Sequence, residues 1–176
     1  MKIQKQELRN SIQEKLKNIS EEQIKEYSDA VFLKLAKKID DFQTRFIYLS
    51  MDKEIQTNKI IQLLWKQWKT VLVPKVLANN EMITVEYKPD SILEKWSYWI
   101  MEVKYWREFL WEIDVVIVPW LAFTKDWKRL WRWKWYYDRF LWKNKKAYKI
   151  WICMPEQIVE NIPVDEHDSM MDEVVF

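Results

Sequence analysis

The sequence contains no glycine in 176 residues, although average usage would place roughly 12 in a chain of this length. Glycine is the residue that reaches positive φ without a steric penalty, and turns and helix ends use it routinely. The chain carries 13 tryptophans instead, about as many as the missing glycines. The fold must therefore make its turns without glycine, or tryptophan occupies positions where glycine normally lies.

The bulk composition fits one folded domain spanning residues 1–176. Hydrophobic residues make up 49% of the chain and charged residues 32%, while a net charge of +2 is too small to indicate nucleic-acid binding. The single cysteine, Cys153, excludes an internal disulfide and argues against a cysteine-based metal cluster. No apolar run approaches the ~20 residues of a membrane span, and the N-terminus lacks a signal-peptide core. We expect a cytoplasmic protein.

Helical and strand patterns alternate along the chain. Apolar spacing predicts helices at 3–18, 20–39 and 57–67. Ser20 and Gln23 form a capping-box pattern at the start of the second helix, and Thr57 is a candidate cap for the third. Short apolar or alternating runs predict strands at 45–50, 70–74, 82–87, 114–119 and 148–154. This order predicts an α/β fold, a single-domain three-layer sandwich with a mainly parallel sheet flanked by helices.

Several tryptophans lie at positions that favour glycine. Trp68 falls just after a predicted helix end, Trp127 lies in the turn-like segment "TKDWKR", and Trp120 follows a buried strand. A non-glycine residue in the left-handed region costs ~1–2 kcal/mol. Several such sites would consume much of a typical net stability of ~5–15 kcal/mol. We interpret most or all of the tryptophans as standing for glycine.

A difference between genetic codes accounts for such a substitution. UGA encodes tryptophan in one variant code and glycine in another, so translating the second with the first would print tryptophan at glycine codons. UGG codons for Trp131, Trp133 and Trp135 would contradict this interpretation. The alternatives are a natural tryptophan-rich protein and a deliberate design.

With glycine at the tryptophan positions, residues 114–140 become D-V-V-I-V-P-G-L-A-F-T-K-D-G-K-R-L-G-R-G-K-G-Y-Y-D-R-F. This segment resembles the signature of the 5-formyltetrahydrofolate cyclo-ligase (methenyltetrahydrofolate synthetase) family. The printed chain departs from the family at each glycine, and Val103 replaces a usual proline. Further segments resemble the family in the same order: "KQELR" (5–9), "YLSMDKEIQT" (48–57), "KTVLVPKV" (69–76), "YWIMEVK" (98–104), "EQIVENIPVDEHD" (156–168) and "MDEVV" (171–175).

The glycine-bearing form of this segment suits phosphate binding. Alternating glycines let the backbone approach a phosphate and direct N–H groups at it. Arg129, Arg132 and Lys134 would offset the charge of a triphosphate. Asp138 follows directly, and a carboxylate beside a phosphate site is a natural magnesium ligand. The alternative is a surface turn that basic residues happen to flank.

The resemblance implies an enzyme that uses ATP and Mg²⁺ to convert 5-formyltetrahydrofolate to 5,10-methenyltetrahydrofolate, releasing ADP and phosphate. Such phosphoryl chemistry relies mainly on positioning and charge neutralisation. The resemblance gives the catalytic role to Arg132, Lys134 and Tyr136.

The resemblance also implies three sets of binding residues. ATP would contact Lys5, Arg9, Arg129, Leu130, Trp131, Arg132, Trp133, Lys134, Trp135, Tyr136 and Tyr137. The folate would contact Leu49, Glu54, Arg132, Trp133, Lys134, Trp135 and Tyr136. Asp138 and Asp168 would bind magnesium. From the residues alone, a solvated helix face is the better interpretation of Lys5 and Arg9, and His167 receives no role.

Three other functions stay open at this point. Taken literally, "RLWRWKWYY" interleaves cations with aromatic rings, as in a module that binds single-stranded nucleic acid. The chain could also be a different nucleotide- or sugar-phosphate-binding enzyme on a related scaffold. Finally, it could be a catalytically dead cyclo-ligase fold, its site blocked by indoles. We expect 5-formyltetrahydrofolate and ATP as ligands, and no nucleic-acid, membrane or obligate protein partner.

Overall fold

Helices and strands alternate in the computed structural model, which describes residues 2–79, 81–96, 100–124, 129–130, 136–162 and 171–176. The helices are α1 (Lys2–Lys17), α2 (Glu21–Lys38), α3 (Asn58–Lys66) and α4 (Tyr136–Lys143), with a 3-10 helix at Pro155–Gln157. The strands are β1 (Thr44–Ile47), β2 (Thr70–Val76), β3 (Met82–Glu86), β4 (Leu93–Lys95), β5 (Met101–Val103), β6 (Val115–Pro119), β7 (Ala122–Phe123), β8 (Arg129–Leu130), β9 (Tyr148–Ile152) and β10 (Glu173–Val175).

One six-stranded sheet, in the order β10-β9-β6-β1-β2-β3, organises the molecule. Every neighbouring pair is parallel except β2 and β3, which are antiparallel. Two-stranded antiparallel ribbons, β4-β5 and β7-β8, lie outside it. The carboxyl ends of β1, β2 and β6 therefore meet at one edge, where parallel α/β sheets commonly bind ligands.

Neighbouring residues of the central strands pack on opposite faces of the sheet. Val115 and Ile117 join a core cluster with α1, α2 and α3, whereas Val116 and Val118 join one with Phe140 of α4. This alternation buries both faces of the strand, which explains its continuous apolar run. The arrangement confirms the predicted sandwich.

The helix predictions are largely confirmed. Helix α1 lies within one residue of its predicted bounds at each end. In α2, Ser20 accepts a hydrogen bond from the Gln23 amide and the Gln23 side chain accepts one from the Ser20 amide, so the capping box is present. Among the helices described, none is long and apolar enough to cross a membrane.

The prediction that Thr57 caps α3 is wrong in its chemistry. The helix does begin at Asn58, but Thr57 has helical φ and ψ of −94° and −8° and makes no side-chain capping bond. Its hydroxyl instead donates to the Tyr48 carbonyl at 2.9 Å. Thr57 therefore ties the helix start to the segment that leaves β1.

Trp68 ends α3 in the left-handed conformation, with φ of +57°. Its amide donates to Trp65 O at 3.0 Å, and the Lys69 amide donates to Leu64 O at 2.9 Å, which is the Schellman pattern. Its side chain is 92% exposed, so no packing offsets the backbone cost. The predicted glycine-like C′ position is confirmed. The other turn tryptophan, Trp127, lies outside the described residues.

Trp68→Gly should raise the free energy of unfolding by about 1–2 kcal/mol, because glycine removes the left-handed penalty. Trp65→Gly, in the same helix, is the matched control. Trp65 donates to Tyr87 O at 2.8 Å and packs edge-on against the Tyr87 ring, so its loss should destabilise the fold. Urea denaturation measures both. A Trp68→Gly variant no more stable than the parent would contradict the backbone argument.

Asp114 joins the amino ends of β1 and β6. Its carboxylate accepts the Thr44 amide at 2.7 Å and the Gln43 amide at 2.8 Å. Burial by itself would raise the carboxyl pKa, but these two N–H donors, the Thr44 hydroxyl and nearby Arg45 outweigh it and lower the pKa. The lowered pKa means that protonation weakens the folded state.

Asp114→Asn should therefore lower the free energy of unfolding at pH 7 by about 1–3 kcal/mol. The parent's advantage should be complete above the unfolded carboxyl pKa of about 3.9 and should disappear as the pH falls through the lower folded pKa. Denaturation at a series of pH values, with exposed Asp90→Asn as control, measures this. A deficit that persists unchanged under acid would refute the linkage.

Candidate active site

An apolar cleft lies at the carboxyl edge of the sheet. Residues at or just beyond the ends of three parallel strands line it: Leu49 after β1, Val76 in β2 and Pro119 in β6. The start of α4 and the β4-β5 ribbon form further walls, and the cleft holds about 840 Å³ of space, its open side included. Its position matches the usual ligand crevice of an α/β sheet.

The segment after β1 is fixed by hydrogen bonds at several points. The Tyr48 hydroxyl donates to Ile55 O at 2.8 Å, closing the loop on itself. Within the loop, Glu54 Oε2 accepts the Met51 amide at 2.9 Å. Lys53 adopts a positive φ of 62°, which a turn at this point requires. These contacts hold the Glu54 carboxylate against the cleft.

Two phenols in this region remain protonated at neutral pH. Burial raises the pKa of Tyr137 above its ordinary value, and the Glu54 carboxylate raises it further. Burial is also the main cause of the raised pKa of Tyr48, followed by the charge of Glu54. The Glu54 carboxylate is thus the charged group in a region of neutral phenols, of which Tyr48 donates its proton to Ile55 O.

The structure brings together four of the residues expected to bind ligands. Leu49 and Glu54 come from the loop after β1, while Tyr136 and Tyr137 open α4, and all four line the cleft. Asp138 lies in the first turn of the same helix and is partly buried. The loop after β1 and the start of α4 therefore contribute expected ligand-binding residues to one cleft.

Of the other expected residues, the structure describes only some. Lys5 and Arg9 lie partly exposed on α1 and do not line the cleft. Leu130 is buried in β8, next to Arg129. No group of three His, Cys, Asp or Glu side chains suited to a metal occurs among the described residues. The following lie outside the described residues: Trp131, Arg132, Trp133, Lys134, Trp135 and Asp168.

The sequence patterns do not predict the β4-β5 ribbon, which contributes residues to the cleft. Ile100, Met101 and Glu102 line the cleft from this ribbon. The strands have three residues each, too short for a periodic signal. The one available signal was the family-like segment "YWIMEVK" (98–104), which contains β5.

Two tryptophans fill the layer between the sheet and α4. Trp120 follows β6 and Trp151 lies in β9, and their ring centroids are 4.8 Å apart. Trp151 is fully buried, yet its indole N–H has no hydrogen-bond partner. Leaving such a donor unsatisfied costs about 1–3 kcal/mol. Cys153, just beyond β9, is buried, and burial raises the pKa of its thiol.

Known proteins with similar sequences share one description. The chain matches the 5-formyltetrahydrofolate cyclo-ligase family over residues 1–176. It is 34% identical to the mouse 5-formyltetrahydrofolate cyclo-ligase over 144 residues, covering 74% of this chain and 71% of that one. It is 33% identical to the Haemophilus influenzae 5-formyltetrahydrofolate cyclo-ligase over 129 residues, covering 69% of each.

Solved structures agree with this similarity. The Aquifex aeolicus 5,10-methenyltetrahydrofolate synthetase aligns with a TM-score of 0.84 at 28% identity, covering 97% of this chain and 88% of that one. The Mycoplasma pneumoniae 5,10-methenyltetrahydrofolate synthetase, at 22% identity, aligns over 97% of both chains with a TM-score of 0.78 and supports the fold. The fold and the full-length family match lead to one conclusion: the chain belongs to the 5-formyltetrahydrofolate cyclo-ligase family.

Proposed function

We propose that this protein is an ATP- and Mg²⁺-dependent ligase that cyclises 5-formyltetrahydrofolate to 5,10-methenyltetrahydrofolate. The observation that carries the proposal is the cleft itself. It unites Leu49, Glu54, Tyr136 and Tyr137, which come from two separate segments that resemble the family. The aligned cyclo-ligases bear the name of this activity.

The cleft has the chemistry that a reduced folate needs. Its apolar wall, which includes Leu49, Met82 and Pro119, suits the aromatic and saturated rings. The Glu54 carboxylate can accept N–H donors of the pterin. The glutamate tail of the substrate is anionic and would extend away from Glu54.

The proposed reaction transfers the γ-phosphoryl group of ATP to the formyl oxygen, giving ADP. The lone pair of N10 then attacks the formyl carbon, the carbon–oxygen bond breaks, and phosphate leaves with that oxygen. N10 loses its proton, and the five-membered ring closes as the methenyl product. Arg132, Lys134 and Tyr136 would neutralise and orient the transferring group, with ATP held by the other loop residues and by Lys5 and Arg9.

Asp138 and Asp168 would hold the magnesium ion, which when bound offsets the negative charge of the phosphates. Asp138 supplies a hard oxygen ligand from the first turn of α4, next to Tyr136 and Tyr137 of the cleft. Magnesium usually takes only one or two protein carboxylates and completes its shell with water and phosphate oxygens. The donor set therefore fits magnesium.

We also propose glycine at the tryptophan positions of the encoded protein. The left-handed backbone of Trp68 and the unsatisfied indole N–H of Trp151 support this proposal. In the loop 131–135, glycines would leave room for a triphosphate, whereas indoles would fill it. We further propose that the protein acts in the cytoplasm, where ATP and reduced folates are available.

The direct test compares the glycine-bearing and printed chains with ATP, Mg²⁺ and 5-formyltetrahydrofolate. We expect the glycine-bearing chain to form 5,10-methenyltetrahydrofolate, detected by its absorbance, and to stop when ATP is omitted or EDTA removes magnesium. The printed chain should be inactive. A folded glycine-bearing chain without ATP-dependent product would refute the proposal, and salt-dependent oligonucleotide binding without turnover would favour the nucleic-acid-binding alternative.

Asp138→Asn should raise the magnesium concentration needed for half-maximal rate by about 10–100-fold, because an amide is a weaker ligand than a carboxylate. Asp90→Asn, an exposed site outside the cleft, is the control. Titration of the initial rate with MgCl₂ at saturating ATP measures the shift. An unchanged magnesium dependence would remove Asp138 from the metal site.

A further inference from the structure

The β4-β5 ribbon forms a wall of the cleft but is not part of the main sheet. Its strands pair Leu93 with Val103 and Lys95 with Met101, and the Trp96 amide donates to Ile100 O at 2.8 Å to close the turn. Ile100 and Met101 line the cleft, together with Trp96. The geometry of this wall depends on how the ribbon is attached to β2.

A buried ion pair makes that attachment. Lys75 of β2 and Glu102 of β5 have Nζ and Oε2 2.9 Å apart, with side chains only 9% and 1% exposed. The other carboxylate oxygen of Glu102 accepts the Val76 amide at 3.0 Å. Lys75 Nζ also lies 3.4 Å from Glu94 of β4. One lysine thus contacts both strands of the ribbon.

Stability alone does not account for this pair. Apolar packing already joins the ribbon to the sheet, because Val103 belongs to a cluster with Val73, Ile83 and Val85. Buried ion pairs contribute little net stability, since desolvation offsets their attraction, and apolar replacements are often equally stable. What the pair adds is direction, because Glu102 accepts the Val76 amide through one carboxylate oxygen while the other, which has no hydrogen-bond partner among the described residues, lies 2.9 Å from Lys75 Nζ at the end of β2.

We propose that the Lys75–Glu102 ion pair is a positioning device that holds the β4-β5 ribbon as a wall of the folate cleft and thereby sets the affinity for 5-formyltetrahydrofolate. This inference rests on the proposed function. Glu102 is buried, its Oε1 accepts the Val76 amide and its Oε2 lies 2.9 Å from Lys75 Nζ, so it acts through Val76, Ile100 and Met101. Lys75 and Glu102 are therefore positioning residues.

The test uses Lys75→Met, Glu102→Gln and the double variant in the full-length, glycine-bearing chain. Each single variant should raise KM for 5-formyltetrahydrofolate by about tenfold, with kcat and KM for ATP within about twofold of the parent. The double variant should bind folate better than either single variant, because it leaves no uncompensated buried charge. Lys146→Met with Glu112→Gln, an exposed ion pair, is the matched control and should change nothing.

Hydrogen exchange of the unmutated protein provides a measurement that does not depend on the variants folding. Adding 5-formyltetrahydrofolate should slow exchange of the amides in Leu93–Lys95 and Met101–Val103, and adding ATP alone should not. Unchanged exchange there on folate binding would overturn the positioning role. So would folded variants with reduced melting temperature and unaltered KM, since those would show a purely structural pair.

The parent enzyme separates this inference from the function on which it rests. If the glycine-bearing parent turns over 5-formyltetrahydrofolate and the Lys75 and Glu102 variants keep its KM, the positioning role alone fails. If the folded parent neither binds nor converts 5-formyltetrahydrofolate, by calorimetry and by product absorbance, the proposed function fails and this inference falls with it.

Discussion

The parallel pairing of β1 with β2 and β6 determines where the cleft forms. It brings three strand ends to one edge, so the residues that follow them line a common cleft. Asp114 fixes the opposite edge by binding the amides where β1 begins. The loop after β1 and the start of α4 both line this cleft, which places Glu54 near Tyr137.

Sequence patterns predicted the elements that have a continuous apolar run or an amphipathic helical spacing. The runs at 114–119 and 148–154 are buried on both faces and became β6 and β9, and α2 begins at its capping box. Periodicity did not predict the strands β4, β5 and β10, because three residues are too few to show an alternating pattern. It also could not foresee that the Thr57 hydroxyl would bind the Tyr48 carbonyl, since that partner is set by the tertiary fold. Family resemblance supplied the site residues, and geometry supplied the ion pair of Lys75 and Glu102.

The absence of glycine has local physical consequences in the printed chain. At Trp68 the backbone adopts the left-handed conformation that a Schellman end requires, although its indole is almost fully exposed. At Trp151 a buried indole leaves its N–H without a partner, in the layer next to the start of α4. Trp65 differs, because its N–H is bonded and its ring packs on Tyr87. The fold therefore tolerates tryptophan at these places to different degrees, and only some positions require glycine on backbone grounds.

We infer that the natural protein has glycine at positions 131, 133 and 135 and that this segment binds the phosphates of ATP in a cyclo-ligase. The most direct measurement is peptide mass spectrometry of the protein purified from its natural source, across residues 129–140. We expect the fragment masses of R-L-G-R-G-K-G-Y-Y-D-R-F. Fragments with tryptophan at these three positions would show that the natural protein carries tryptophan there and would refute this inference.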